Sequence, residues 1–118
     1  MMPPANDLIA GYLCIEPVDF RKQINGLTAI VSEVLALDPF CEQLFVFTNR
    51  RRDRVKVLYW ERSGFCLWMK RLERERFHWP RADSATVALT GQELNWLLDG
   101  YDLRHLTPHE ALNYKTVL

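Results

Sequence analysis

The chain has few of the residues that build stapled or metal-dependent domains. Its 118 residues include three cysteines, which are widely spaced and form no Cys-x-x-Cys pair. This spacing argues against a disulfide framework and a zinc cage, and it is typical of reduced thiols in a cytoplasmic protein. His105 and His109 are four residues apart, but Pro108 lies between them and no third ligand is evident. We therefore expect no metal and no cofactor.

Long apolar runs and leader-like segments are also missing. No window approaches the roughly 18 consecutive apolar residues that a membrane-spanning helix requires. The first twelve residues contain neither the basic nor the apolar region of a secretory signal. We expect a cytoplasmic protein without a membrane partner.

The signals for catalysis are equally sparse. The sequence has no glycine-rich loop that would cradle a phosphate and no recognisable Ser-His-Asp or Cys-His order. Its carboxylates are scattered, and no pair has the spacing of a two-metal nuclease. We expect a protein that is not an enzyme.

Enough apolar residues are present to build one hydrophobic core. They make up 48% of the chain, and aromatic residues make up 12%. A chain of this length is one domain by the usual size of domains. We predict a flexible arm over residues 1–11, one α+β domain over 12–103, and a weakly structured tail over 104–118.

Several short runs rich in Val, Phe, Tyr and Trp are typical of β-strands. Such residues suit a pleated and half-buried surface, and turn-like breaks separate the runs. We predict strands over residues 12–15, 44–48, 54–61, 65–72, 76–79 and 86–89. Short breaks join neighbouring antiparallel strands, so we expect a small antiparallel sheet.

Apolar spacing indicates one longer helix between the first two strands. Asp19 is a plausible N-cap, and a stripe of Ile, Leu and Val recurs at helical spacing from Ile24 to Leu35. Asp38-Pro39 should end this helix. The predicted fold is thus α+β, with the small antiparallel sheet packed against one longer helix and followed by a short C-terminal helix.

The short helix has clear boundary signals. Thr90 and Glu93 have the spacing of a capping box, and Gly100 fits a left-handed C-terminal cap. Thr107-Pro108 repeats a start signal and predicts a weak helical turn in the tail.

The strand at 54–61 has two different faces. Val55, Val57 and Tyr59 share one, which we expect to pack on the longer helix. We place Lys56 and Trp60 on the other face, together with Trp68 and Lys70 of the next strand. Such a face would stack bases between cations, or would lie under a helix with its lysines at the margin. We favour the alternative in which a helix covers this face, because exposed paired tryptophans are uncommon.

Charge is strongly segregated although the formal net charge is zero. Residues 49–81 contain eleven basic and four acidic residues, a net charge of +7. The remaining four basic and eleven acidic residues give −7. A concentrated basic surface on a neutral protein predicts a polyanionic partner or an acidic protein surface.

The densest basic feature is the break between the second and third predicted strands, where four arginines occur in five residues. Arginine forks match phosphate oxygens and guanine edges. Nucleic acid, a protein partner and simple solvation all remain possible for this turn, and nucleic acid is the interpretation we favour. The predicted nucleic-acid contacts are Arg50, Arg51, Arg52, Arg54, Lys56, Arg71, Arg74, Arg76, Arg21 and Lys22.

A set of motifs extends over most of the chain, from residue 12 to residue 109. They are Asp19-Phe20-Arg21-Lys22, Gly26-Leu27, Asp38-Pro39-Phe40, Leu44-Phe45-Val46-Phe47, Asn49-Arg50-Arg51-Arg52-Asp53-Arg54, Lys56-Val57-Leu58-Tyr59-Trp60, Gly64-Phe65, Lys70-Arg71-Leu72-Glu73, Arg76-Phe77, Trp79-Pro80 and Leu94, Leu97, Leu98 and Gly100. With these motifs the chain resembles the small TnpB accessory proteins of the insertion-sequence-sixty-six group of bacterial transposons. Those proteins are distinct from the RNA-guided nucleases that share the name TnpB.

The resemblance implies a role in transposition beside a separate transposase that carries the chemistry. It supplies no catalytic residues. The expected partners are double-stranded DNA and the element-encoded transposase, and a homo-oligomer is compatible with the sequence. The alternative function is a non-catalytic adaptor that docks on the transposase through the same basic face, anchored by Trp60, Trp68 or Trp96. An enzyme would need a carboxylate cluster assembled by the fold.

Overall fold

The computed structural model describes residues 9–100, and five strands form its central sheet. The strands are β1 (Ile9–Cys14), β2 (Leu44–Thr48), β3 (Arg54–Glu61), β4 (Gly64–Arg71) and β5 (Thr86–Thr90). The helices are α1 (Ile24–Ala29), which continues into a π-helical segment (Ile30–Val34), and α2 (Gly91–Leu98). Strand β1 begins within the range predicted as an arm, and the predicted tail lies outside the described residues.

The sheet is mixed, so the prediction of an antiparallel sheet was wrong. Its strand order is β4-β3-β2-β1-β5, and β1 runs parallel to β2 while every other neighbouring pair is antiparallel. The connection through α1 returns the chain to the end of the sheet where β1 started, so β2 runs in the same direction. Strand runs in a sequence show where strands lie, but not which strands become neighbours.

The single longer helix was also a wrong prediction. Helix α1 has six residues and begins after Gln23, and its last turn widens so that the Leu35 amide donates to the Ile30 carbonyl at 2.9 Å. Asp19 does not cap it. The carboxylate of Asp19 instead accepts the Arg21 amide at 2.9 Å and the Arg21 guanidinium, which closes a turn before the helix.

The run at 76–79 was predicted as a strand but forms none, and it contributes to the core instead. Phe77 and Trp79 are buried, and the Trp79 indole donates to the Cys14 carbonyl at 3.0 Å. A buried indole N–H needs such a partner, which ties this irregular segment to β1.

Two apolar clusters cover the two faces of the sheet. One contains Val55, Val57 and the apolar residues of α2; the other contains Leu58 and the apolar residues of α1. The face of β3 that bears Val55 and Val57 therefore packs on α2 and not, as predicted, on the first helix. Each face of the sheet has one short helical cover.

The predicted mixed face of lysines and tryptophans does not form. The two-residue turn after β3 pairs Glu61 with Gly64, so Trp60 lies opposite Phe65 and Trp68 lies opposite Val57. Residues that lie opposite each other share a face, so this register places Trp60 and Trp68 on opposite faces. Both tryptophans are half-buried.

The structure confirms the sequence signals at both ends of helix α2. The Thr90 hydroxyl accepts from the Glu93 amide at 3.1 Å, and the Glu93 carboxylate accepts from the Thr90 amide at 2.8 Å. Gly100 has φ of 95°, in the left-handed region as expected. Neither of the helices found between residues 9 and 100 has the length and apolar character needed to cross a membrane.

Candidate nucleic-acid interface

The strand directions bring most of the predicted contact residues to one end of the sheet. This end contains the C-terminal ends of β1, β2 and β4 and the start of β3. We call it the basic end and define it by Arg21, Lys22, Arg50, Arg51, Arg52, Arg54, Arg71, Arg74 and Arg76. Three inter-strand spacings of about 4.8 Å separate β4 from β1, so the end is about 14 Å wide.

The loop between β2 and β3 is fixed by one asparagine. The Asn49 side-chain oxygen accepts the amides of Asp53 and Arg54 at 3.2 and 3.1 Å, and its amide group donates to the Asp53 carboxylate at 2.7 Å. This bond and the nearby Arg51 lower the pKa of Asp53, so its carboxylate stays charged at neutral pH. Asn49 organises the loop, and its polar side chain next to the arginines was the signal available in the sequence.

The backbone of this loop also holds the segment that follows β4. The Asp53 carbonyl accepts the Leu72 amide at 2.8 Å, and the Arg52 carbonyl accepts the Phe77 amide at 2.7 Å. Arg74 and Arg76 are exposed on the segment between these two bonds. Residues separated by more than twenty positions therefore share one surface.

Arg52 occupies a backbone conformation that favours glycine. Its φ is 62°, which costs a non-glycine residue roughly 1 kcal/mol. Ala36 and Arg62 have the same left-handed backbone, so this conformation does not by itself distinguish Arg52.

Few arginines at this end are neutralised by carboxylates. Within residues 9–100 the ion pairs are Arg21 with Asp19, Arg51 with Asp53 at 3.9 Å, and Arg71 with Glu73 at 3.0 Å. In each pair the arginine side chain is largely exposed, so each pair contributes little to stability. The guanidinium groups of Arg50, Arg52, Arg54, Arg74 and Arg76 have no carboxylate partner in this part of the chain.

Two cations face each other across the β3–β4 ladder. Arg54 lies directly opposite Arg71, and like charges in this position destabilise a sheet. The Arg54 Nε atom is buried and makes no hydrogen bond to residues 9–100. Arg71 also pairs with Glu73 at 3.0 Å, so Arg54 is the uncompensated cation of the two.

Lys56 does not belong to the exposed surface. It is 4% exposed, and its ammonium donates to the carbonyls of Phe20 and Lys22 at 2.9 and 2.8 Å. The same Nζ atom lies 4.8 Å from the centroid of the Phe20 ring. Burial and the nearby Arg54 lower its pKa. Lys56 therefore ties the segment before α1 to the sheet and is not placed to reach a phosphate.

The Lys56 hydrogen bonds hold Arg21 and Lys22, the remaining two predicted contacts, at the basic end. The Val18 amide donates to the Thr48 carbonyl at 2.9 Å, so the chain leaving β1 runs beside the end of β2. Arg21 and Lys22 are exposed on it. Arg21 holds Asp19, mainly by a side-chain hydrogen bond, and lowers the pKa of that carboxyl to about 2.

An open cleft of about 420 Å³ lies between the segment that follows β1 and the loop between β2 and β3. Residues 17–20 form one wall, and Asn49, Arg50 and Arg51 form the other. The segments that line it are held by the Lys56 and Val18 hydrogen bonds, so the cleft is preformed. No sequence pattern marks Phe20 as a cleft residue, because its neighbours across the cleft are Asn49, Arg50 and Arg51, which are distant in the chain. No group of three or more metal-binding side chains occurs within residues 9–100, and the pair His105 and His109 lies outside them.

Comparison with known proteins places the chain in a family. A family model described as "IS66 Orf2 like protein" matches residues 9–108. Two similar proteins come from Sinorhizobium fredii (strain NBRC 101917 / NGR234). Uncharacterized protein y4jC is 39% identical over 87 residues, covering 74% of each chain, and uncharacterized protein y4hO is 36% identical over 104 residues, covering 88% of this chain and 90% of that protein. No solved structure matches at a comparable level of significance.

The chain belongs to the IS66 Orf2-like family, so the resemblance found in the sequence is confirmed. Membership associates it with IS66-type transposition in an accessory role. The family is not a known catalytic one.

Proposed function

We propose that this protein serves transposition by binding double-stranded DNA through the basic end. The observation that carries the proposal is the concentration at this end of exposed guanidinium groups that have no carboxylate partner within residues 9–100, namely Arg50, Arg74 and Arg76. Phosphate oxygens are strong acceptors for such donors, and phosphate contacts supply most of the affinity in DNA binding. The family's association with transposition supports the choice of DNA as the polyanion.

The exposed residues among the predicted DNA contacts lie in three places. Arg50 and Arg51 extend from the loop, and Arg74 and Arg76 continue the surface along the segment after β4. Arg21 and Lys22 lie across the cleft. A surface about 14 Å wide spans about four base-pair steps at 3.4 Å each, which is enough for several phosphates.

Fluorescence anisotropy of a labelled duplex at about 50 and 200 mM salt tests this proposal. Each phosphate contact contributes about 0.9 to the slope of log K against log salt. Arg50→Gln/Arg51→Gln/Arg52→Gln should therefore make the slope shallower by about 2.7. An element-end duplex and a scrambled duplex, run side by side, show whether binding depends on sequence.

A matched control is available at the other end of β3. Arg62 is exposed in the turn between β3 and β4. Arg50→Gln should reduce affinity and slope, whereas Arg62→Gln, which removes the same charge from the opposite end, should change neither beyond the small effect of net charge. Equal losses in the two variants would show that only the overall charge matters and would contradict a defined interface.

Arg52→Gly separates binding from folding. Glycine removes the strain of the left-handed backbone, so the variant should be as stable as the parent or more stable. Its DNA affinity should nevertheless fall, because a cation of the interface is lost. A folded parent that binds no duplex at about 50 mM salt would contradict the proposal. It would favour the adaptor, in which the basic end meets an acidic surface of the transposase.

A further inference from the structure

The two outer strands of the sheet differ in how well they are covered. The last four residues of β5 are buried, whereas no residue of β4 is buried. Strand β4 is nevertheless apolar over most of its length, from Phe65 to Met69. Its apolar residues are therefore only partly covered in the part of the chain that the structure describes.

Strand β4 also lacks the features that normally prevent edge strands from pairing. It is eight residues long and contains no proline, and its first charged residue is Lys70. Within residues 9–100 its ladder partner is β3 alone. A long apolar edge with free backbone groups is a template for another strand.

Two exposed apolar side chains lie beside this edge. Met69 is 51% exposed and shares a face with Phe65 and Leu67. Phe40 is 55% exposed, and its ring packs on Trp60 and Phe65 with centroids 5.1 and 5.3 Å apart. The exposed Met69 and Phe40 side chains therefore enlarge the apolar surface beside β4 that a partner strand would cover.

We propose that two copies of this chain associate through β4, with the two strands antiparallel and related by a two-fold axis perpendicular to the sheet. Such an axis joins each face of one sheet to the same face of the other. A residue of β4 and the residue opposite it in the second copy must therefore point to the same face of the sheet. Centring the pair on Leu67 satisfies this condition. Met69 then lies opposite Phe65 of the partner subunit, so the exposed Met69 side chain packs on a half-buried aromatic ring.

The distribution of charge selects a second copy in this orientation. Lys70 and Arg71 stand at one end of β4, and Gly64 begins the other. Antiparallel pairing places each cationic end beside the partner's β3–β4 turn, in which the exposed Glu61 and Arg62 give no net charge, with the two Arg71 residues about 27 Å apart. Parallel pairing would place four cations side by side and would be repelled.

The arrangement has a consequence that rests on the proposed function. The basic end of each copy lies at the C-terminal end of its own β4. Antiparallel pairing therefore directs the two basic ends to opposite sides of the ten-stranded sheet. One dimer would hold two DNA segments, each on its own side.

Sedimentation velocity on the full chain without DNA tests the dimer separately from DNA binding. The expected species has twice the 13.9 kDa mass of one chain. Met69→Lys adds a charge at an exposed position on the edge and should give a monomer with unchanged circular dichroism. Val34→Lys is the matched control, because Val34 is 68% exposed on the π-helical segment and packs on neither apolar cluster. It should leave the dimer intact.

A cross-link tests the register without disturbing the edge by charge. In a Cys66→Ser background, Leu67→Cys places one thiol from each copy at the two-fold axis. Oxidation should convert this double variant to a covalent dimer, while the Cys66→Ser parent should not cross-link. Failure to cross-link, with a folded protein, would overturn the register centred on Leu67.

Three results would overturn the association through β4. The first is a wild-type chain that stays monomeric at tens of micromolar. The second is a dimer that Met69→Lys and Val34→Lys leave equally intact. The third is a monomeric full chain whose variant ending at Gly100 dimerises, since that would mean that the chain's own C-terminal segment occupies the edge.

Discussion

Replacing Lys56 with methionine should destabilise the fold, because this lysine satisfies two carbonyl groups that no other side chain of residues 9–100 hydrogen-bonds. Hydrogen bonds to charged groups contribute about 1.5–3 kcal/mol each to stability. Methionine keeps the apolar stem and removes the cost of burying a charge, which offsets part of the loss. We expect a net loss of about 2 kcal/mol, which corresponds to a fall in Tm of about 8 °C for a domain of this size.

Urea unfolding followed by tryptophan fluorescence measures this loss. The control is Lys22→Met, because Lys22 is exposed and the same substitution there should change the free energy of unfolding by no more than about 0.5 kcal/mol. The reasoning would be refuted if Lys56→Met kept full stability while its DNA-binding salt slope became shallower by about 0.9. That pair of results would mean that the ammonium leaves the interior and contacts a phosphate, as the sequence alone predicts.

Three further substitutions test other parts of the fold. Gly11→Ala should cost about 1–3 kcal/mol in urea unfolding, because its Cβ would clash with the Leu44 carbonyl oxygen; a neutral result would contradict the close pairing of β1 and β2. Thr90→Ala should cost about 1 kcal/mol through loss of the α2 cap, and Thr90→Ser, which keeps the hydroxyl, should restore most of it. The carboxyl of Asp53 should titrate by NMR below the ordinary pKa of aspartate, and Asn49→Ala should raise that pKa. Because the folded pKa is lowered, this carboxylate stabilises the loop above the pKa of the unfolded chain, and the contribution disappears as pH falls through the folded value.

Local patterns predicted the strands well because each strand carries its own signal. The ranges 44–48 and 54–61 match β2 and β3, and the range 65–72 is displaced by one residue from β4. The capping box and the left-handed glycine were correct for the same reason. The strand predicted at 76–79 was wrong because Phe77 and Trp79 alternate like strand residues, although they pack into the core without a ladder partner.

Long-range geometry was not predictable from these patterns. The parallel pairing of β1 with β2, the side of the sheet on which each helix packs, and the burial of Lys56 all depend on contacts between distant residues. Lys56 illustrates the point, because its hydrogen-bond acceptors are backbone carbonyls that leave no trace in residue types. The basic end was predicted as a cluster of charge, while the orphaned Arg54 nitrogen and the cleft at residues 17–20 emerged only from the fold.

The position of β1 between β2 and β5 constrains the order in which the chain can fold. Strands β2, β3 and β4 are consecutive and pair through short turns, so they can form by local contacts soon after they are made. Strand β1 pairs with β2 on one side and with β5, more than seventy residues later, on the other. Closing a contact of that separation is slow, since its entropy is lost before the contact stabilises the chain. The strand of this sheet that leaves the ribosome first is thus among the last to be completed, and the sheet is not complete until Thr90 has been synthesised.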